Sequence, residues 1–274
     1  MKICFIGGGN MASALIGGLL ETGQAPDAIS VVETDAGARA RLASRFGVAC
    51  GTAHDKAAEV IVFAVKPQNL RDAASALGTP DAGQLVVSIV AGIRLADLCA
   101  WLGGHRRLVR SMPNMAALAG EGIAGLFAMP EVNADERGRA ESILSAVGET
   151  LWLSDESMMD AVTAVSGSGP AYVFYFMEAM QRAAERLGFS EDQAKRLVLA
   201  TFRGASTLAR QSAEPVSVLR ERVTSKGGTT AAALAVLNAA GVDQTIVAAI
   251  DAAQKRGREL GAQLGDRKSG EGGA

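Results

Sequence analysis

Gly7, Gly9 and Ala12 are spaced as G-x-G-x-x-A, directly behind the apolar run KICFI and directly ahead of an amphipathic stretch over residues 12–20. Three small residues at this spacing serve one purpose. Gly7 permits a tight turn out of a strand, Gly9 lets a pyrophosphate approach bare backbone, and Ala12 allows the helix to lie close to the sheet. The helix that follows opens with N–H groups, those of Asn10 and Met11 among them, at the positive end of its dipole. The chemistry indicated is binding of a dinucleotide, and with it nicotinamide-dependent oxidation or reduction. A glycine turn between strand and helix also arises without a ligand. A second apolar run, ISVVE, about 20 residues on, is the context that favours the dinucleotide.

Glu33 ends that second run, where an acid accepts hydrogen bonds from a ribose 2′-hydroxyl and repels a 2′-phosphate. Read alone it points to NADH. Arg39 and Arg41 follow closely, and an arginine near this turn can hold the 2′-phosphate of NADPH; as plain solvated helix positions they would decide nothing. Two later segments fit the same pocket. Ala64, Val65, Lys66 and Pro67 lie just past another apolar run, where open α/β sheets place their ligands, and the backbone there can flank the cofactor ribose. RSMPN, residues 110–114, ends a further run, with Asn114 able to reach a ribose or an amide. An ordinary strand-to-helix turn accounts for either segment equally well.

Two glycine-rich segments lie further on. SGSGPAY, residues 166–172, places Pro170 at the start of a long helix, and its glycines also allow a close backbone or ring approach. In VTSKGGTTAAALAVL, residues 223–237, the loop of Ser225, Lys226, Gly227, Gly228, Thr229 and Thr230 feeds an alanine-rich helix. Exposed N–H groups and hydroxyls at a positive dipole end form a carboxylate trap in outline; simple capping by Thr229 or Thr230 is the plainer reading of the segment alone. With only His54 and His105, and with Cys4, Cys50 and Cys99 widely spaced, the chain offers no metal site, no disulfide framework and no histidine triad. The chemistry must be carried mainly by the cofactor.

These residues have to be positioned by elements that the pattern also predicts. KICFI, ISVVE, EVIVFAV, QLVVSIV and RRLVRSM alternate with helical stretches, as in parallel βαβ units, and strands this continuously apolar are buried on both faces. Further elements are a strand over 122–129, a helix over 134–147 and a strand over 150–153. After residue 155 only a 3.6-residue period remains. Val173, Phe176, Met177, Met180, Ala184 and Leu187 form one stripe, Ser190 and Gln193 form a capping box, and helices follow over 230–240 and 245–264. The expectation is an α/β Rossmann-type, doubly wound N-terminal domain over residues 1–155 and an all-α C-terminal dimerisation domain over 156–264. Residues 265–274 read as a disordered tail. The helical domain carries more apolar surface than its size can cover, which predicts a dimer. A net charge of −2 in 274 residues gives no basic face for nucleic acid, and no apolar run is long enough to span a membrane. The expected setting is cytoplasmic.

The motifs FIGGGNMASALIGGL, FAVKPQ, RSMPN, AVSGSGPAYVF and VTSKGGTTAAALAVL, in this order and spacing, resemble those of pyrroline-5-carboxylate reductase over nearly the whole chain. The resemblance implies reduction of a cyclic imine, 1-pyrroline-5-carboxylate, to L-proline by NAD(P)H, with NADPH preferred over NADH. It also implies that Ser225, Gly227, Gly228, Thr229 and Thr230 hold the substrate, with Thr230 catalytic at the imine nitrogen and the nicotinamide opposite. A dimer of intertwined helical domains, in some members assembled into decamers, is implied as well. Lys226 departs from the proline common at its position. One rival is a β-hydroxyacid dehydrogenase, which carries a catalytic lysine in the long helix where this chain reads SGSGPAYVFYFMEAM. The other is a dinucleotide sensor without catalysis, which needs no GGTT loop.

Overall fold

A computed structural model describes residues 1–265. The chain divides into two compact units: Met1–Ser168 together with the end of the last helix from residue 253, and Gly169–Ala252. The first unit holds strands β1 (Ile3–Ile6), β2 (Ile29–Val32), β3 (Ala49–Gly51), β4 (Val60–Phe63), β5 (Leu85–Ser88), β6 (Leu108–Met112), β7 (Gly122–Ala128) and β8 (Gly148–Trp152), in the sheet order β3-β2-β1-β4-β5-β6-β7-β8. The order reverses between β1 and β4. A crevice therefore opens beyond the carboxyl ends of those two strands, where open sheets of this kind bind ligands.

Helices α1 (Asn10–Glu21), α2 (Ala36–Phe46), α3 (Leu70–Leu77), α4 (Leu95–Trp101) and α5 (Ala134–Ser145) cover the sheet. Strand side chains alternate between two cores. Ile3, Phe5, Val60, Val62 and Val87 pack with Leu15 and Ile16 of α1 and with Ile143 of α5. Cys4, Ile6, Ile61, Phe63 and Val86 pack with Leu70 of α3 and with Leu95 and Leu98 of α4. Burying each such side chain contributes about 1.5–3 kcal/mol, and two-sided burial is why these strands read as unbroken apolar runs.

Two features escape the sequence pattern. The edge strand β3, of sequence ACG, is only 3 residues long and carries no apolar periodicity. β7 runs antiparallel to β6, while the other paired strands are parallel. The β6–β7 connection, residues 113–121, is too short for the dozen or more residues that a parallel crossover needs.

Beyond β8, α6 (Met159–Val162) runs into a π-helical turn, Thr163–Gly167, closed where the Ser168 amide donates to the Thr163 carbonyl at 2.8 Å. A Cβ on Gly167 would lie 2.7 Å from Cε of Met112, so this glycine lets the turn sit against the end of β6.

The second unit is helical: α7 (Gly169–Arg186), α8 (Glu191–Gln211), α9 (Val216–Arg222), α10 (Thr229–Ala239) and α11 (Val242–Gly265) as far as Ala252. The capping box opens α8: Ser190 Oγ accepts from the Gln193 amide at 3.3 Å and Gln193 Oε1 from the Ser190 amide at 3.0 Å. Among the described residues of this unit, Ala194 and Val198 are the buried apolar side chains, whereas Phe174, Leu187 and Val236 are 57%, 80% and 69% exposed. The stripe on α7 is thus not a core within this unit: Val173, Met180 and Leu187 face solvent, and Phe176, Met177 and Ala184 are half-buried.

The last turns of α11 rejoin the first unit, with Gly261 against Gly92 and Leu264 packed on the core under α3 and α4. The tail expected over 265–274 lies outside the described residues except for Gly265, which ends α11. Among the described residues no single helix is long and apolar enough to cross a membrane; α10 and α11 meet that measure only as a bent pair.

Gly18 sets how closely α1 approaches the segment before β8. A Cβ there would stand 2.3 Å from the carbonyl oxygen of Ala146 and 2.7 Å from Val147 Cγ1. In an open helix Gly→Ala is stabilising by about 0.4–1 kcal/mol. Here the sign should reverse: Gly18→Ala is expected to destabilise by about 1–3 kcal/mol through overpacking, read as a lower midpoint of urea unfolding. A raised midpoint would contradict the packing described.

Candidate functional site: a dinucleotide cleft and a glycine–threonine loop

The turn out of β1 is shaped by what cannot fit in it. Gly7 has φ +102°, and a Cβ on it would lie 2.8 Å from the Ala64 carbonyl oxygen and 2.9 Å from Val65 Cγ1, both just past β4. Its amide donates to the Val32 carbonyl at 2.8 Å, binding the turn to the end of β2. Gly8 is constrained by a side chain alone, since a Cβ would meet Leu42 Cδ1 at 2.4 Å. Gly9 is different: it is the N-cap of α1, no side chain caps it, and a Cβ there would have nothing within 4 Å. The first N–H groups of α1, from the exposed Asn10 and the half-buried Met11, are therefore free of side-chain caps. Ala12, fully buried, packs beneath the helix. Bare backbone donors beside a glycine cradle fit a pyrophosphate.

This turn forms one wall of a cleft of about 770 Å³, within the usual size for small-molecule sites. Gly7, Gly8, Gly9, Glu33, Ala64, Val65 and Lys66 line it together with Thr34, Thr52, His54, Asn69 and Asp72. Pro67 opens the 3₁₀ turn Pro67–Asn69 ahead of α3 and is not on the cleft wall. Thr52 and His54 were not anticipated. They follow β3, and the brevity of that strand hides the loop after it.

Glu33 is half-buried, and both of its carboxylate oxygens are engaged. Oε2 accepts from the Gly8 amide at 2.9 Å, and Oε1 accepts from the Asp35 amide at 2.9 Å and from the Thr34 hydroxyl at 3.3 Å. Burial would push its carboxyl up, but the amides of Asp35 and Gly8, with Thr34, outweigh burial and hold it below the usual carboxylate range. Arg39 Nη1 donates to the carbonyls of Glu33 and Thr34, at 2.7 and 2.9 Å. Arg41 reaches outward, with Nη2 3.9 Å from Asp35 and three-quarters of its side chain exposed.

Asn114 does not line the cleft. It is buried, and its Oδ1 accepts from the Ile123 amide at 3.3 Å, tying the turn after β6 to β7. Arg110 is likewise structural: Nη1 lies 3.0 Å from Glu156 Oε1, which also accepts from the Leu95 amide at 2.8 Å.

In the helical unit the SKGGTT loop turns through Gly227 at φ +74°. The Gly228 amide donates to the Ser225 carbonyl at 3.1 Å, and a Cβ on Gly228 would lie 2.3 Å from Ser225 Oγ, so the serine hydroxyl lies over bare backbone. Gly228 is the N-cap of α10, and no side chain caps the helix. Thr229 and Thr230 are its first two helical residues, which removes the plain capping reading of these threonines. Ser225, Lys226, Gly227 and Thr229 are exposed, Gly228 and Thr230 half-buried. The arrangement offers hydroxyls and unpaired backbone donors to a small anion.

Comparison with known proteins bears on both sites. Residues 156–260 match the family described as pyrroline-5-carboxylate reductase dimerisation, and residues 2–92 the family described as NADP oxidoreductase, coenzyme F420-dependent. The chain is similar to the pyrroline-5-carboxylate reductase of Pseudomonas aeruginosa, with 46% identity over 96% of this chain and 98% of that one. It is also similar to the solved pyrroline-5-carboxylate reductase of Coxiella burnetii, at TM-score 0.88 and 37% identity, covering 94% of this chain and 98% of that one. The pyrroline carboxylate reductase of Plasmodium falciparum, solved with NADP bound, aligns at TM-score 0.85 and 27% identity over 95% and 98% of the two chains. By likeness along nearly its full length, the chain belongs to the pyrroline-5-carboxylate reductase family.

Proposed function

We propose that the chain reduces 1-pyrroline-5-carboxylate to L-proline with NAD(P)H, the last step of proline biosynthesis. The observation that carries this reading is the SKGGTT loop at the uncapped start of α10, which suits an amino-acid carboxylate and has no use in a protein that only senses a dinucleotide. A β-hydroxyacid dehydrogenase would need a lysine in the long helix, and α7 contains none.

Reduction of the imine places a hydride on carbon and a proton on nitrogen, and the reduced nicotinamide supplies the hydride when bound. The chain's own part is orientation and proton handling. Gly9, Asn10 and Met11 hold the pyrophosphate by their N–H groups, and Ala64, Val65 and Lys66 flank the ribose, while Pro67 shapes the turn behind them. Ser225, the backbone of Gly227 and Gly228, and Thr229 fix the substrate carboxylate, while the Thr230 hydroxyl hydrogen-bonds the imine nitrogen and helps deliver its proton. Orientation alone can supply up to about 7–11 kcal/mol of a barrier, which suits a loop with no histidine. Thr230→Ala is expected to lower kcat by about 10²–10³-fold with dinucleotide affinity unchanged in fluorescence titration; unchanged turnover removes the role.

The preferred dinucleotide is NADPH. Arg39 is engaged by two backbone carbonyls, so Arg41 is the guanidinium assigned to the 2′-phosphate. Arg41→Ala should raise KM for NADPH by about tenfold, the scale of one charge-assisted contact, and leave that for NADH within twofold. Equal changes in the two would refute the assignment.

The exposed apolar side chains of residues 169–252 are assigned to a homodimer interface, which decamers would extend. Sedimentation at micromolar concentration should show no monomer; a monomer would sink the assignment. The setting proposed is cytoplasmic, without nucleic-acid or membrane partners.

A further inference from the structure

An acid at the end of the second strand of such a sheet ordinarily reads the ribose, accepting from a 2′-hydroxyl and repelling a 2′-phosphate. In this chain the carboxylate of Glu33 is differently employed. Three of its roughly four acceptor positions are taken by the Gly8 amide, the Asp35 amide and the Thr34 hydroxyl. Beneath it, the Arg39 guanidinium grips the carbonyls of Glu33 and Thr34. The Gly8 amide is the middle one of the glycine turn, so one side chain adds a second anchor on the β2 side to the backbone bond between Gly7 and Val32. On its other side Gly7 lies against Ala64, with no room for a Cβ.

We infer that Glu33 is a latch of the phosphate loop and not a reader of the ribose. By holding Gly8 it fixes where the N–H groups of Gly9, Asn10 and Met11 point, and it serves NADH and NADPH alike. Arg39 is the brace that keeps the latch in place. The inference rests on the functional reading that a dinucleotide occupies this cleft. It explains how an acid at this position coexists with the use of NADPH: the charge is spent on backbone donors.

The two roles predict opposite behaviour. A ribose reader changed to its amide loses NADH affinity and gains NADPH affinity; a latch so changed loses both. For Glu33→Gln, dissociation constants for NADH and NADPH from nicotinamide fluorescence should rise together, each by about tenfold, the scale of one lost hydrogen bond to a charged group. Amide hydrogen exchange at Gly8, followed by NMR without dinucleotide, should accelerate by a similar factor. Arg39→Ala, which leaves the carboxylate in place, should weaken both dinucleotides by equal factors. The latch is overturned if Glu33→Gln tightens NADPH while weakening NADH, if Gly8 exchange is unchanged, or if Arg39→Ala affects NADPH alone. Wild-type protein that binds neither dinucleotide sinks the functional reading and the latch together; wild type binding both, with a variant that splits them, sinks the latch alone.

Discussion

Between the end of β1 and the end of β4 there is space for backbone and for nothing else. Gly7, at φ +102°, sits where a Cβ would be 2.8 Å from the Ala64 carbonyl. The absent methyl lets the exits of two strands that stay paired to their last residues, Ile6 with Phe63, remain in contact, and the cleft lies beyond those ends. Other features follow. α1 can begin immediately after the cleft-lining Gly9, its first N–H groups free of side-chain caps, because the chain turns in three glycines. Gly8 can be reached by Glu33 because its own flank is bare. Each of these would be lost to a single ordinary side chain, so the site is defined more by atoms left out than by groups put in.

Much of this was legible in the residues alone, for physical reasons. The five apolar runs were visible because strands buried on both faces lose the polar alternation that solvent imposes, and Ser190 with Gln193 marked a helix start because the two must bond reciprocally. What stayed hidden had little local signal. β3 is an edge strand of three residues whose pairing is decided by its neighbour β2, so the Thr52 and His54 loop could not be placed. The antiparallel β7 follows from the length of a connection, not from composition. Glu33 and Arg39 were visible as charges near the ribose, but which backbone atoms they hold depends on how the turn after β2 folds back on Gly8, and no spacing rule contains that. Asn114 is similar: an amide at a strand end looked available to a ligand, and folding commits its oxygen to the Ile123 amide.

The two halves solve different problems with similar means. In the Rossmann unit, backbone donors at a helix start follow a glycine turn in which Gly7 is held bare by the Ala64 carbonyl. In the helical unit, Gly228 starts α10 with no side-chain cap, and Ser225 folds over it. Both helix starts lack the side-chain cap that Asn133 supplies to α5 and Ser190 to α8, as do those of α3, α4 and α9. A missing cap costs about 1 kcal/mol, and at α1 and α10 the bare start is combined with glycine backbone that leaves room for an anion to supply the acceptor.

The return of α11 to the first unit has a consequence for how the chain is made. Gly261 packs on Gly92, and Leu264 joins the core beneath α3 and α4. The N-terminal unit is therefore not continuous in the gene's order: its last contacts are made by residues synthesised after the entire helical unit. On the ribosome, the sheet can assemble early from local βαβ units, but one patch of its core stays open until α11 has been made. A nascent chain arrested before residue 261 would carry an almost complete dinucleotide fold with an exposed apolar flank, the kind of surface that chaperones bind.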